Sequence, residues 1–546
     1  MPSYADLENE VWVGAGAAVT FIPENHIYLG ASITYSESTL TKTNANFAMV
    51  PNVYIGCTVK ILNATITQYA VIKSNTETTL VLGEAVNTNF VSADAATKAW
   101  ILPFGAPSPG PIKADTTATR ETMLLADNWL GLVNTFSPPS IDVELAQLNL
   151  AVAGTRNFRL QFKKGETVSG ASLDTSMSHG AWLYYTLGRI STADHATTQV
   201  NISACEANDI VTSGADATDL YRVLVGDNSE ALALYPPTDM ANDGSYKLGS
   251  DNILYTFTES NGQDLPSFSL ELTYEKEGIA ANSYYVGSNS RLVDSVTDDT
   301  IHGSATAAGE FSDSHTEIFC RVFTGCQVNS MTLNFEEGQE VKQNLDLVTR
   351  RAFDVPNGYH PKRGVRTGAS DDLNNFQNYL GATATDKLPY MFSQGELTLF
   401  GSTVSKVKSG SLTITNNITP QRYIGNYNPE ITSQHIPAQR TYEVSLTMLI
   451  TDSDLWNDMR AKSGENLDSD TRIDLRFSKD GDFDYDSDKT ADYFIIELRD
   501  FITQSVDIPF PDDKGPLEIT ATFSARTLAN CQYSGGWVIL NQENVA

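Results

Sequence analysis

Five aspartates at alternate positions form the most conspicuous candidate for chemistry in this chain. They occupy the run DGDFDYDSD, at Asp480, Asp482, Asp484, Asp486 and Asp488. Carboxylate oxygens are the ligands that Ca²⁺ prefers, but an EF-hand loop also needs glycine at its sixth position and glutamate at its twelfth. Counted from Asp480, those positions hold Tyr485 and Ala491, and counting from Asp482 fails as well. The run is therefore only a weak metal candidate, and its pattern favours a solvated loop or an interface between subunits.

Other residue types that carry chemistry are present but are not grouped. The 7 histidines are dispersed, with no HExxH pair, and the sequence has no GxSxG elbow, P-loop or GxGxxG turn between a strand and a helix. The 5 cysteines are scattered and odd in number, which is typical of buried thiols rather than of a disulfide scaffold or a zinc site. We therefore predict no enzyme and no cofactor. An acidic chain offers many carboxylate pairs, so a glycosidase remains an alternative.

The balance of charge limits the partners that the chain can have. Acidic residues outnumber basic ones by 67 to 36, which gives a formal net charge of -31. Proteins that grip nucleic acid do so with Lys and Arg, which neutralise phosphates, so this composition argues against such a groove. The first residues, MPSYADLENEVWVG, are acidic where a signal peptide is basic, and no apolar run approaches the roughly 20 residues that cross a bilayer. We expect synthesis in the cytoplasm and no membrane partner.

Short alternating apolar runs, separated by Gly, Asn, Ser and Pro, occupy nearly the whole chain. A period of two residues is that of a strand with one buried face, so the fold is predicted to be mostly β with few short helices. The stretch PFGAPSPGPI, with 4 prolines, continues neither a helix nor a sheet. A linker at residues 104–112 is therefore predicted between a small β-barrel domain at 1–103 and a larger β-sandwich or barrel at 113–546. Polar stretches at about 191–252 and 354–387 are predicted insertions in the larger domain.

An internal repeat is the most informative pattern in the second half of the chain. The run VNSMTLNF at 328–335 aligns without gaps on VKSGSLTI at 407–414. A second alternating run follows each copy, VKQNLDLV in the first and YEVSLTML in the second. Each copy would be a strand, a turn and a returning strand, so the sequence predicts a duplicated hairpin.

The second copy has one apolar face and one hydroxyl face. In SLTITNNITP, Leu412 and Ile414 alternate with Ser411, Thr413 and Thr415, and the asparagines and proline that follow are predicted to end the strand. Since strand side chains point alternately to opposite faces, we expect the two apolar residues to face a core and the hydroxyls to face water.

Six stretches of the chain share a known pattern of strands and turns. They are SFSLELTYEKE at 267–277, GCQVNSMTLNFEEGQEVKQNLDL at 325–347, SGSLTITNNITPQRYIG at 409–425, QRTYEVSLTMLITDSDLW at 439–456, RETMLLADNWLG at 120–131 and GETVSGASLDTSMSHGAWLYYTLG at 165–188. Together these stretches resemble the major tail tube proteins of tailed bacteriophages and related archaeal viruses. The resemblance covers roughly residues 113–546 without the insertions, and residues 1–103 are an addition to the family pattern.

The resemblance implies a structural virion protein, assembled in the host cytoplasm and located in the tail. Its subunits would stack as rings, commonly hexameric, into a channel through which viral DNA passes without specific binding. Its partners would be other copies of itself and the sheath, tape measure, baseplate and tail terminator proteins. Residues 354–387 and the acidic run would then be contacts between rings. The side chains expected to face the lumen are Ser411, Thr413, Thr415, Glu443 and Ser445.

Two other functions fit the same composition. One is a carbohydrate-binding or depolymerising surface β-protein, which would also be all-β, acidic and rich in threonine. The other is a different component of a viral tail or baseplate. Electron microscopy separates the tube subunit, which forms tubes or rings, from a surface protein, which forms compact monomers or trimers.

Overall fold

A computed structural model of the protein describes the parts of the chain that carry its regular structure. These are residues 18–23, 27–28, 33–42, 54–63, 66–76, 78–90, 98–101, 112–113, 132–148, 160–192, 210–212, 220–222, 253–260, 265–275, 318–354, 359–360, 388–404, 406–423, 434–449, 457, 472–485, 491–507 and 515–535. The fold is mostly β, as the alternation predicts, and its largest sheet is curled into a half-barrel. Asp486, Asp488 and most of the two predicted insertions lie outside the described residues.

The first part of the chain has eight strands, of which all but the first form a separate small sheet. Its strands are β1 (Ala18–Pro23), β2 (Ile27–Tyr28), β3 (Ile33–Ser36), β4 (Thr39–Lys42), β5 (Thr58–Leu62), β6 (Thr67–Asn75), β7 (Thr79–Leu82) and β8 (Lys98–Ile101). Seven of them pair in the order β2-β8-β5-β6-β7-β4-β3. Alternate residues such as Val59, Ile61 and Ile72 are buried in a core that is built from this part of the chain. The division of the chain into a domain at 1–103, a linker at 104–112 and a larger domain at 113–546 stays a prediction.

The middle of the chain combines long and short strands with a buried helix. The elements are β9 (Ile112–Lys113), β10 (Leu132–Ser137), β11 (Ser140–Leu148), β12 (Leu160–Ser169), β13 (Ala171–Ser176), α1 (Ala181–Leu187), β14 (Gly188–Thr192), β15 (Ile210–Thr212), β16 (Leu220–Arg222), β17 (Ile253–Glu259) and β18 (Phe268–Glu275). Helix α1 is buried along Trp182–Leu187, and its rings pack against Phe268. A helix that is apolar on all sides must lie inside the core.

The last part of the chain supplies most of the large sheet. Its strands are β19 (Ile318–Glu336), β20 (Lys342–Val348), β21 (Arg351–Asp354), β22 (Tyr359–His360), β23 (Gly395–Leu399), β24 (Ser402–Thr403), β25 (Val407–Thr415), β26 (Thr419–Gln421), β27 (Gln434–Ile436), β28 (Thr441–Leu449), β29 (Arg472–Ser478), β30 (Tyr493–Asp507) and β31 (Glu518–Gly535). A 3₁₀ turn at Phe392–Gln394 precedes β23.

The large sheet has 16 strands, of which 11 lie in the order β10-β13-β20-β19-β25-β28-β31-β30-β29-β23-β24. Strands β1, β14, β17, β18 and β21 attach to it beside this path. One row of directly paired residues crosses seven strands and is buried throughout. It consists of Leu173, Leu345, Met331, Ile414, Tyr442, Ala525 and Phe501. Paired residues point to the same face of an antiparallel sheet, so this row forms a continuous floor of the core.

The repeated runs lie side by side in this sheet. Strand β19 pairs with β25 so that Leu333 lies opposite Leu412, and β20 and β28 flank the pair on its two sides. The order β20-β19-β25-β28 therefore places the two hairpins symmetrically. Gly410 interrupts the similarity because the ring of Phe335 lies over it. A large residue facing a glycine fills the space that a side chain would take.

We predict that Gly410→Ala destabilises the fold. The added Cβ would lie 2.6 Å from Cε2 of Phe335 and 2.8 Å from Cδ2 of Leu446, closer than packed carbons approach. Overpacking of this kind costs roughly 1–3 kcal/mol. Denaturant unfolding measures the loss, and Ser411→Ala, on the opposite face, is the matched control. Equal midpoints for the two variants would contradict the prediction.

Candidate functional surface

The polar face of the large sheet brings the predicted lumen-facing residues together. Ser411 pairs with Ser445 across β25 and β28, and Thr413 pairs with Glu443 in the same ladder. Thr415 lies two residues beyond Thr413, so all five side chains share one face of two neighbouring strands. The four hydroxyl side chains are half-buried and Glu443 is exposed.

Hydroxyl and carboxamide groups extend this face across further strands. Thr332 of β19 lies 3.1 Å from Thr413 between their hydroxyl oxygens, and Thr447 of β28 lies 3.2 Å from Thr520 of β31. A shallow depression of about 410 Å³ opens on the same face. Its polar lining includes Asn334, Glu336, Glu340, Lys342, Ser411 and Ser445. These groups are hydrogen-bonding surface, and no hydroxyl among the described residues that line the depression stands beside a histidine that could activate it.

The described part of the acidic run is held in a turn by its own carboxylates. Asp480 accepts hydrogen bonds from the Ser478 hydroxyl at 2.6 Å and from the backbone N–H groups of Asp482 at 3.0 Å and Asp492 at 3.2 Å. Asp482 accepts one from the N–H of Asp484 at 2.8 Å. Across the residues that the structure describes, no three His, Cys, Asp or Glu side chains are arranged to hold a metal ion. The acidic run thus has a structural use that explains two of its carboxylates.

A buried ion pair anchors this turn to the sheet. Nζ of Lys479 lies 2.9 Å from Oδ2 of Asp492, and the Tyr390 hydroxyl donates to the other oxygen of that carboxylate. Nζ also lies 4.6 Å from the centre of the Tyr390 ring. The sequence did not predict this cluster because Tyr390, Lys479 and Asp492 come from three separate segments. The only signal in the sequence was the opposite charge of Lys479 and Asp492.

The asparagines that were predicted to end strand β25 have two different roles. Asn417 has a positive φ of 50°, which confirms the turn conformation. Asn416 is fully buried, and its amide nitrogen donates to the carbonyls of Thr186 at 3.0 Å and Val328 at 2.9 Å. Its oxygen accepts from Nε of Arg440 at 2.7 Å. The residue is therefore a polar junction within the core as well as the end of a strand.

A buried histidine lies close to the segment that touches the N-terminal sheet. Nδ1 of His435 is 3.1 Å from Oε1 of Gln327, whose amide nitrogen donates to the Leu265 carbonyl at 2.7 Å. Arg350 donates to the carbonyl of Gly56 at 3.0 Å. Burial, together with the nearby charge of Arg350, lowers the pKa of His435 to about 4.

We predict that His435 makes the fold sensitive to acid. Between its ordinary pKa of 6.5 and about 4, the unfolded chain binds a proton here that the folded chain does not. The stabilisation is complete above about pH 6.5 and is lost as the pH falls to about 4. From pH 7.5 to 4.5, the loss of unfolding free energy should be about 2–3 kcal/mol smaller in His435→Gln than in the wild type. Denaturant titrations at the two pH values measure it, and parallel losses would contradict the prediction.

The hairpin of β11 and β12 exposes apolar side chains on both of its faces. Val143 and Leu145 are 51% and 54% exposed, and Leu160 and Phe162 are 53% and 44% exposed. Leu145 pairs with Lys163 whereas Ala146 pairs with Phe162, so the two sets point in opposite directions. The two strands pair only with each other among the strands that the structure describes. The sequence analysis did not identify this hairpin. Its signal was apolar residues at both odd and even positions of the strands, which places them on both faces.

The path of 11 strands in the large sheet also has two open ends. Strand β10 is paired on one side with β13, and β24 on one side with β23, and neither has a second partner among the described strands. Unpaired backbone groups along such edges are ready to pair with another chain.

Comparison with known proteins identifies a family for this chain. A family model described as phage tail tube protein matches residues 150–525, which is more than half of the sequence. The match begins between β11 and β12 and ends within β31. No curated protein matches the chain. No helix of the described residues has the length and hydropathy to span a membrane.

Proposed function

Because the chain belongs to the phage tail tube protein family, which is a family of structural proteins of the virion tail, we propose that its copies assemble into stacked rings that form the channel for genome delivery. The observation that carries this proposal is a half-barrel sheet whose main path of 11 strands has two open ends. A ring of copies joined through these two ends would pair both of them with neighbouring copies. Six copies in each ring are proposed from the family resemblance.

The exposed hairpin supplies a second surface for self-assembly. Four large apolar side chains on two faces of one ribbon are costly in water, and a lone two-stranded hairpin is marginally stable. Insertion between neighbouring copies would cover both faces at once. Each such side chain contributes on the order of 1 kcal/mol when its exposed half is buried. We assign this hairpin to contacts between copies, together with residues 354–387 and the acidic run at Asp480.

The polar face is assigned to the lumen. Its hydroxyls at Ser411, Thr413, Thr415 and Ser445 hold water, and Glu443 adds negative charge. A lining of hydroxyls and a carboxylate without an excess of Lys and Arg offers phosphates little positive charge, so the proposed channel holds DNA only weakly. The sheath, tape measure, baseplate and tail terminator proteins are proposed partners of the assembled tube. Residues 1–103 are placed on its outside, and assembly is placed in the host cytoplasm.

Electron microscopy of the purified protein tests assembly. We expect tubes or rings from the wild type, and none at the same concentration from Leu145→Ser combined with Phe162→Ser, because the hairpin then loses its apolar cover. Val71→Ser, an exposed apolar residue on the N-terminal sheet, is the matched control. Compact monomers or trimers of the wild type would overturn the tube and favour the carbohydrate-binding alternative.

Charge reversal in the lumen tests the assignment of the polar face. Virions with Thr413→Lys and Glu443→Lys should keep tubes of normal length but release their DNA several-fold more slowly, because each lysine attracts phosphates. Thr67→Lys, on the exposed face of β6, is the control. Unchanged release, or coordinates of the tube in which these side chains point outward, would overturn the assignment.

A further inference from the structure

Arg422, which lies outside the hairpin of β11 and β12, donates hydrogen bonds to both of its strands. Arg422 follows strand β26, and its Nη1 donates to Oε1 of Glu144 on β11 at 3.1 Å. Its Nη2 donates to the Thr167 hydroxyl on β12 at 2.9 Å and to the carbonyl of Glu166. The Thr167 hydroxyl in turn donates to the same oxygen of Glu144 at 2.9 Å. One guanidinium thus joins both strands of the hairpin to the body of the subunit.

The contact lies at the point where the hairpin bends. The pairing shifts between Glu144 and Leu145, which face Gly165 and Lys163, so that Lys164 is an extra residue in β12. A bulge of this kind bends a ribbon and increases its twist. On one side of the bulge, Val168 belongs to the main core. On the other side lie the exposed side chains of Leu145, Leu160 and Phe162.

Electrostatics favours a fixed geometry at this bend. The Thr167 hydrogen bond and the charge of Arg422 lower the pKa of the Glu144 carboxyl below its usual value, so it stays ionised at neutral pH. Lys164 adds a weaker contact to Glu144 at 3.8 Å. The side chains of Arg422 and Glu144 are about one-third exposed, at 34% and 38%. Ion pairs in such positions add little to global stability.

We propose that Arg422 is a positioning residue for self-assembly: it sets the direction in which the hairpin leaves the subunit and thereby aligns the apolar end with a second copy of this chain. This inference rests on the proposed role of the hairpin in contacts between copies. A hairpin that pivots at its bulge would have to be ordered during each association, which lowers the affinity between copies.

Charge reversal and its rescue test this role. Arg422→Glu should raise the concentration needed for tube formation by roughly tenfold or more. Its melting temperature should stay close to that of the wild type, because both side chains of the pair are about one-third exposed. Arg422→Glu combined with Glu144→Arg restores an opposite-charge pair at the same place and should recover much of the loss. Light scattering against protein concentration gives the threshold, and Lys408→Glu, which breaks an exposed pair with Glu518 inside the sheet, is the control.

The outcomes separate this inference from the proposed function. If the wild type forms no tubes, the proposed function fails. If Leu145→Ser with Phe162→Ser forms tubes normally, the hairpin is not a contact between copies. If that variant fails to assemble while Arg422→Glu assembles at the wild-type threshold, or if the double reversal is no better than the single one, the role of Arg422 is overturned.

Discussion

The side chain of Asn416 is the junction on which the arrangement of helix and sheet depends. Its amide nitrogen donates to a carbonyl near the end of α1 and to one in β19, and its oxygen accepts from Nε of Arg440, the residue before β28. Arg440 also donates to the Leu187 carbonyl at 3.2 Å and lies 3.8 Å from Glu259 of β17. The last carbonyls of a helix have no partner within it, and here they are buried. The three hydrogen bonds of the buried Asn416 amide allow the seven-residue helix α1 to end inside the core.

The same network connects β28, on the main path of the sheet, with β17, which lies beside that path. The Tyr442 hydroxyl of β28 donates to the Glu259 carboxylate of β17, which also lies beside the guanidinium of Arg440. Burial raises the pKa of Tyr442, which therefore stays protonated and keeps its role as a donor. The long strand β30 contains a residue with an irregular backbone conformation. Asp500 has a positive φ of 55°, which resets the alternation so that Leu498 and Phe501, three positions apart, both face the core.

The sequence predicts the parts of this fold that depend on period and pairing. Alternation identifies the mostly-β class, the apolar face of Leu412 and Ile414 and the hydroxyl face opposite them, since a strand has no other way to separate these residues. The repeat also has a physical counterpart, because its two copies pair as β19 and β25. Contacts between distant segments are different. Nothing near Asn416 indicates that Thr186, 230 positions away, needs a donor. Arg422 likewise meets Glu144 across 278 positions.

The large negative charge makes local geometry decisive for assembly. Copies that each carry a formal charge of -31 repel one another at long range, and salt screens this repulsion within about 10 Å at 0.1 M. Association must then depend on short-range contacts that outweigh what remains, namely strand edges and exposed apolar side chains. A hairpin that points away from the neighbouring copy makes no apolar contact with it, while the repulsion between the two negatively charged copies remains. The bulge at Glu144 makes the hairpin able to bend, and Arg422 selects one bend, so a partly exposed ion pair can matter more for assembly than for folding.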